Sequence, residues 1–171
     1  MSKNDNGWGA FVDCLISEEI NEVGIGYVLI AREKSSQSIR CVTFLVDVFC
    51  LGIKDCFLDK CSHYEYGFMK ERLNAASNLI QIPPSHAKKL LQEAVVYAKG
   101  LGFDPHSDFE RHFKSLGDVD ASACKETFTF GRDGKPLYIL GPKDSPTKVA
   151  RILACLEQKC GPEGYHYLAE L

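Results

Sequence analysis

A carboxylate interrupts the most apolar stretch of this 171-residue chain. Residues 41–53 are a run of hydrophobic side chains that contains Asp47. Alternate residues of a strand share a face, so the run predicts a strand with apolar side chains on both sides. A carboxylate buried there must be paired or hydrogen-bonded, or its pKa must rise. In one interpretation Asp47 is structural and binds a turn or a basic neighbour (Arg32, Arg40 or Lys54). In the other it is a general base or a metal ligand at a strand end.

A glycine and a lysine follow this strand and extend the candidate site. Gly52 permits a positive φ or a close approach of the backbone to a ligand. Lys54 can lower the pKa of the Cys50 thiol, which a nucleophile would need, although no histidine is adjacent in the sequence. The alternative is a buried, inert thiol beside a tight turn.

Acidic side chains and a histidine occur together at residues 104–110. Asp104 as an N-cap, Pro105 at the first helical position and Asp108 in the first turn are typical of a helix start. Helix capping therefore explains these three residues without any function. It does not explain His106, which remains a candidate for acid–base or metal chemistry.

One functional hypothesis combines these groups in a metal-dependent hydrolase or nuclease. A divalent metal that activates water needs carboxylate and imidazole ligands, and the candidates are Asp47, Asp55, His106 and Asp108. Lys54 would face a phosphate. The hypothesis makes Asp47, Lys54 and His106 the catalytic residues, and Asp55 and Asp108 binding residues.

A second kind of site is suggested by two glycine-containing segments. Residues 131–136 contain Asp133-Gly134, which predicts a hairpin turn rather than a phosphate loop because a strand follows. Residues 141–146 lead into a helix, so Lys143 and Lys148 could attract an anion there. Lys143 is therefore a candidate binding residue.

The chain has eight cysteines, an even number that raises the question of disulfides. They are Cys14, Cys41, Cys50, Cys56, Cys61, Cys124, Cys155 and Cys160. Most lie in apolar patterns, and the N-terminal sequence lacks the features of a secretory signal, so we expect free core thiols in the cytoplasm. The C-x4-C-x-H and C-x4-C-x5-H spacings at 56–63 and 155–166 do not favour a structural zinc. A redox or zinc-dependent function of these thiols is a third alternative.

Hydrophobic periodicity predicts a single α+β domain over residues 1–171, with two β-hairpins and about four helices. An N-terminal helix is predicted within 1–23 (at 9–21) and the first hairpin at 24–55. A helix is also predicted at 66–76, whereas the pattern at 56–65 assigns no element. A helix pair follows at 82–117, and the second hairpin and the C-terminal helix occupy 126–171, with a short final strand at 165–168.

Composition excludes several classes of protein. The chain is 45% hydrophobic and has 20 basic against 23 acidic residues, which argues against disorder and against general nucleic-acid binding. No run approaches the roughly 18 apolar residues of a membrane span. Oligomeric state is not predicted, because an apolar helix stripe packs equally well inside a domain or across a dimer.

Three segments resemble a family of uncharacterised bacterial proteins in which they occur in the same order. They are residues 44–55, residues 82–109, and residues 134–142 with the later Tyr165-His166-Tyr167. The resemblance spans most of 24–168 and implies one domain, but it supplies no activity, ligand or cofactor.

The leading functional hypothesis is a cytoplasmic protein-binding or adaptor module without catalysis of its own. It follows because the unusual residues mostly have structural explanations and none forms a recognised catalytic motif. Its interface would lie in a groove between the central helices and a hairpin. The candidate aromatic anchors for the protein partner are Trp8, Tyr64, Tyr66 and Tyr165.

Overall fold

A five-stranded antiparallel sheet forms the centre of the computed structural model, which describes residues 7–169. The strands lie in the order β4-β3-β2-β1-β5. Their bounds are β1 (Phe11–Ser17), β2 (Ile25–Ser35), β3 (Ser38–Asp47), β4 (Gly52–Ser62) and β5 (Leu79–Gln81). Because β1 to β4 are joined in sequence by short connections, most of the sheet is a meander of neighbouring strands.

Five α-helices, two 3-10 helices (Lys114–Leu116 and Ala121–Ala123) and a second, two-stranded sheet complete the described part of the chain. The helices are α1 (Ile20–Val23), α2 (His63–Ser77), α3 (Pro84–Gly100), α4 (Phe109–Phe113) and α5 (Pro146–Cys160). The small sheet pairs β6 (Leu137–Ile139) with β7 (His166–Leu168) in parallel. The chain is thus an α+β protein with one compact domain, as the sequence predicts.

The main sheet is covered on both faces, which explains its apolar strands. Phe44 and Val46 of β3 belong to the large cluster that packs against α3. Cys41 on the same strand belongs to a smaller cluster on the opposite face, where Tyr66 of α2 packs. A strand buried on both faces reads as a continuous apolar run, and β3 supplies residues 41–47 of the apolar stretch, whereas its remainder forms the turn at 48–51 and the start of β4.

Local sequence signals begin the two long helices that cover the sheet. At α2, Ser62 accepts a hydrogen bond from the Glu65 N–H, and Glu65 in turn accepts from the Ser62 N–H, so the pair forms a capping box. At α3, Pro84 occupies the first turn, where a missing N–H costs nothing. The predicted apolar stripe of α3 is confirmed as its buried face: Ala87, Leu90, Leu91, Ala94, Val95 and Ala98.

The third cluster joins α5 to the turn between β3 and β4. Ile152 and Leu156 of α5 pack with Cys50 and Leu51 of the turn and with Tyr138 of β6. The turn lies close to α3, because a Cβ on Gly52 (φ 68°) would lie 2.7 Å from the Cβ of Ala98. The positive φ and close backbone approach expected for Gly52 are both present.

The predicted N-terminal helix at 9–21 is wrong, because most of that segment is strand β1. Phe11, Cys14, Leu15 and Ile20 fit a helical period, but a short apolar run fits a doubly buried strand equally well. Pairing decides the outcome: β1 lies between β2 and β5 and hydrogen-bonds to both.

The predicted second hairpin within 126–171 is also wrong. Its turn exists, since Asp133 (φ 53°) and Gly134 (φ 77°) are flanked by an isolated antiparallel bridge between Arg132 and Lys135. No strand precedes the turn at 127–130, and β6 after it pairs in parallel with β7. The local Asp-Gly signal specifies the turn alone, whereas the final strand predicted at 165–168 supplies the partner of β6.

Two further boundaries differ from the sequence prediction. The helix expected from Asp104 begins only at Phe109 after Asp108, because the His106 N–H donates to the Ile53 carbonyl (3.0 Å) and fixes 103–108 as a loop on β4. The unassigned residues 56–62 belong to β4, whose adjacent charged residues, Lys54-Asp55 and Asp59-Lys60, interrupt the apolar pattern of a strand. Among the described helices none is long and apolar enough to cross a membrane.

Candidate functional site

Asp47 holds the tight turn between β3 and β4. Its Oδ1 accepts hydrogen bonds from the N–H groups of Phe49 and Cys50, both at 2.9 Å. This is an Asx turn, in which the carboxylate replaces a backbone acceptor. The hydrogen-bonded turn was one of the two structural interpretations of Asp47 drawn from the sequence.

The Asp47 carboxylate is buried, and burial raises its pKa above the ordinary value. Backbone N–H donors of the turn and the charge of Lys54 oppose that rise without cancelling it. Burial also raises the pKa of the Cys50 thiol, with the Asp47 charge as the next cause, and Lys54 only reduces the effect. Cys50 therefore lacks the lowered pKa of an activated nucleophile.

Two of the predicted catalytic residues, Lys54 and His106, line one cavity of about 450 Å³. We call this cavity the cationic pocket. Lys148 and Arg151 of α5 also line it, so four nitrogen-bearing side chains from three parts of the chain converge there. Asp47 is not among its lining residues.

The cationic pocket combines these charges with an apolar wall. Leu51, Ile53 and Ile152 contribute hydrophobic surface, and Asp104 is the one acidic side chain among the described lining residues. Three permanently positive side chains therefore line the cavity with one acidic side chain, and one of the three, Lys148, is also paired with Asp144. Such a site suits a ligand that carries an anionic group on an apolar body.

The loop before α5 positions one of the lysines. Asp144, whose side chain is 3% exposed, accepts hydrogen bonds from the Tyr138 hydroxyl (2.8 Å), the Gly141 N–H (2.9 Å) and the Lys148 ammonium (2.6 Å). Burial alone would raise the pKa of Asp144, but these donors outweigh it and lower the pKa to about 2. Ser145 caps α5 by accepting from the Lys148 N–H.

Lys54 lies against the same loop. A Cβ on Gly141 would lie 3.0 Å from Asp144 Oδ2 and 3.5 Å from Lys54 Nζ. Within residues 7–169 Lys54 forms no direct ion pair, although its charge acts on buried Asp47, so its ammonium can still donate to a ligand. Lys143, the predicted binding residue, is exposed on the loop and is not among the residues that line the pocket.

His106 connects the cationic pocket to a different group of side chains. Its Nδ1 lies 3.6 Å from Cys56 Sγ and accepts a hydrogen bond from the Asp108 N–H at 3.2 Å. Its Nε2 lies 3.7 Å from Asp55 Oδ1. Because Nδ1 accepts a backbone N–H, it carries the lone pair in neutral His106, and Nε2 carries the proton toward Asp55.

Cys56, the thiol that contacts His106, lines a second cavity of about 480 Å³. Trp8 and Phe57 contribute aromatic surface to the second cavity, and Lys60 and Arg111 contribute positive charge. Arg111 also pairs with Asp108 at 3.0 Å. His106 lines the cationic pocket but not the second cavity, and its contact with Cys56 links the two.

The structure places two of the four hypothesised metal ligands, Asp55 and His106, in side-chain contact but does not assemble a metal site. Asp108 reaches the imidazole only through its backbone N–H, its carboxylate pairs with Arg111, and Asp47 is committed to its turn. Across residues 7–169 no group of three or more His, Cys, Asp or Glu side chains is placed to hold a metal ion.

The eight cysteines are free thiols, five of them buried. Of the predicted aromatic anchors, Tyr64 is 75% exposed on α2 and stacks edge-on with exposed Phe68. Tyr66, also on α2, is buried against the main sheet and is not available to a partner. Trp8 and Tyr165 are partly buried.

Sequence reasoning missed Arg151, Cys56 and Asp144 as members of these sites. Arg151 follows Lys148 by three residues on a helix, and that spacing places both on one face. The pairing of Cys56 with His106 has no sequence signal, since 50 residues separate them. The sequence also gives no sign that Asp144 folds back onto Tyr138.

Comparison of the chain with protein-family models, with curated proteins and with solved structures found no match. The resemblance to bacterial proteins with segments in the same order therefore stays a prediction.

Proposed function

We propose that this chain is a binding module whose ligand is an organic anion held in the cationic pocket. The observation that carries the proposal is the convergence of Lys54, Lys148, Arg151 and His106 on one cavity with an apolar wall. A phosphate or carboxylate would accept hydrogen bonds from the cations, and its organic body would cover the wall. The proposal keeps the binding-module hypothesis drawn from the sequence, but its ligand is a small molecule rather than a protein partner.

The charge balance supports an anion rather than a cation. Lys148 is already paired with Asp144, so it donates only part of its hydrogen-bonding capacity to a ligand. Lys54 lacks such a pair, and Arg151 is exposed at the rim. We therefore expect Lys54 and Arg151 to contribute most to affinity.

The test is calorimetric titration with 1-naphthyl phosphate, which joins a phosphate to a flat apolar ring. We expect saturable binding of one molecule per chain, and no binding of uncharged 1-naphthol. Lys54→Met and Arg151→Met should each weaken binding about 10-fold, because a charge-assisted hydrogen bond contributes about 1.5 kcal/mol or more.

The matched control is Lys143→Met, which removes the same charge from the exposed loop outside the pocket. It should leave the affinity for 1-naphthyl phosphate within about 2-fold, since exposed charges contribute little. An equal loss in Lys143→Met and Lys54→Met would show attraction to general surface charge and contradict the proposal. Absence of saturable binding by the wild-type chain up to millimolar ligand would also contradict it.

A protein partner remains the second candidate, because Tyr64 and Phe68 form an exposed aromatic pair on α2. Exposed aromatic side chains are the residues that most often anchor protein interfaces. The metal-dependent hydrolase has no corresponding observation, since its four proposed ligands are not assembled.

A further inference from the structure

The contact between Cys56 and His106 is not used by the proposed anion site. Cys56 is only 3% exposed, and it is one of the residues that line the second cavity. The thiol is 3.6 Å from His106 Nδ1, the nitrogen that carries the lone pair. A thiol, a neutral imidazole and a cavity are the parts that a nucleophilic cysteine requires.

The rest of the imidazole is held in the orientation that such chemistry needs. Asp55 Oδ1 faces Nε2 and favours the tautomer in which Nδ1 is free to take a proton. The His106 backbone N–H donates to the Ile53 carbonyl, which anchors the main chain of this residue on β4 beside Cys56. The proton must displace the Asp108 N–H from Nδ1, and at 3.2 Å that hydrogen bond is long for its type.

We propose that Cys56 is a nucleophilic thiol, that His106 is its base, and that the second cavity takes a small conjugated carbonyl compound. The Cys56 proton passes to His106 Nδ1 as Sγ forms a bond to the β-carbon of the C=C–C=O group. The electron pair of the C=C bond moves toward the carbonyl oxygen, giving an enolate. The α-carbon then takes the proton back from His106, so the product is a thioether and no leaving group is needed.

Charged side chains around the second cavity affect both the enolate and the Cys56 thiol. Lys60 and Arg111 line the cavity and would stabilise the enolate oxygen. Burial, followed by the charges of Asp108 and Asp55, raises the pKa of Cys56 to about 11, with Arg111 acting in the opposite direction. The resting thiol is therefore protonated at neutral pH, and the base is needed at the moment of reaction.

The experiment treats the native, reduced full-length chain with limiting N-ethylmaleimide and follows each cysteine by peptide mass mapping. Cys61 is the internal comparison, because it lies on the same strand, is more exposed than Cys56, and has no histidine hydrogen bond among the described residues. We expect Cys56 to react at least 10-fold faster than Cys61 despite its burial. A Cys56 that reacts more slowly than Cys61 would overturn the proposal without any variant.

The variant His106→Asn then tests the base directly. We expect the rate at Cys56 to fall about 100-fold, the scale of general-base catalysis, while the rate at Cys61 is unchanged. Cys14, which is buried in β1, reports folding because it reacts only if the variant unfolds. An unchanged Cys56 rate in a folded variant contradicts the role of His106, and if the variant unfolds, the wild-type comparison decides alone.

The test of Cys56 reactivity can be separated from the test of anion binding in the cationic pocket. Cys56 does not line the cationic pocket, so Cys56→Ser should keep its affinity for 1-naphthyl phosphate while losing the maleimide adduct. Either proposal can therefore fail while the other stands.

Discussion

Two buried carboxylates hold the two turns on either side of Lys54, and their environments shift their pKa values in opposite directions. Asp47 accepts only backbone N–H groups at short range, and burial raises its pKa. Asp144 accepts from an ammonium and a hydroxyl as well as a backbone N–H, and its pKa falls to about 2. Burial acts on both groups in the same direction, so the difference comes from the partners.

The comparison shows that burial alone does not identify a reactive carboxylate. Each group shapes a wall of the cationic pocket: the Asp47 turn carries Leu51, and the Asp144 loop positions Lys148. Neither needs to touch a ligand. A charged residue in an apolar strand, the feature that drew attention to Asp47, here marks the end of a strand and the geometry of its turn.

The largest expected effect comes from removing the Asp47 acceptor. Asp47→Ala leaves the N–H groups of Phe49 and Cys50 buried without a partner and should lower the free energy of unfolding by about 3 kcal/mol. Asp47→Asn keeps a side-chain oxygen and removes the cost of a buried charge, so its loss should stay within about 1 kcal/mol. Urea denaturation at pH 7 measures both.

The control for this prediction is Asp118→Ala, at an exposed position, which should change stability by less than about 0.5 kcal/mol. Equal losses in Asp47→Asn and Asp47→Ala would show that the negative charge, rather than the acceptor oxygen, stabilises the turn. That outcome would mean that Asp47, like Asp144, stabilises its turn through its negative charge.

The second prediction concerns Asp144, whose charge is stabilising. Asp144→Asn loses the Lys148 ion pair and should lower stability at pH 7 by about 2 kcal/mol. A lowered pKa contributes stability above its unfolded value of 3.8, and this is lost as pH falls toward about 2. The deficit of the variant relative to wild type should therefore shrink between pH 5 and pH 2.5.

Asp47 should show the opposite pH dependence. Its raised pKa gives a contribution that is present below the unfolded pKa and lost as pH rises through the folded pKa. The stability of Asp47→Asn relative to wild type should therefore improve with rising pH. The urea midpoints of Asp47→Asn and Asp144→Asn, each compared with wild type over one pH series, test both predictions. If the two differences from wild type changed in the same direction with pH, the opposite pKa shifts of the two carboxylates would be contradicted.

The sequence predicts the elements whose signals are local. Helix α3 has a proline start and a regular apolar stripe, and α5 has Ser145 as its cap, so both were found near their observed bounds. Strand β1 was mistaken for a helix because its identity depends on pairing with β2 and β5, which no local pattern encodes. The turn at Asp133-Gly134 was found for the same local reason, and β6 follows it, but no strand precedes the turn and β6 pairs with β7.

For the candidate site too, the sequence identifies individual residues but not the partners that tertiary packing brings to them. Lys54 and His106 were singled out as unusual residues, and they do share a cavity. Their partners Arg151 and Cys56 come from distant segments, and only the packing of α5 and the loop at 103–108 places them there. The residue types were thus readable from the sequence, whereas the grouping depends on tertiary contacts.

The smallest expected effect tests whether Lys54 acts on Asp47 and Asp144 equally. Lys54 lowers the pKa of Asp47 through its charge, whereas the charge that acts on Asp144 belongs to Lys148. Lys54→Met should therefore cost about 1 kcal/mol in the wild-type chain and close to nothing in Asp47→Asn, a coupling that a double-mutant cycle measures. In Asp144→Asn the cost of Lys54→Met should persist. A coupling to Asp144 as large as that to Asp47 would show that Lys54 is shared between the two carboxylates, and its charge would then be less available to an anion in the pocket.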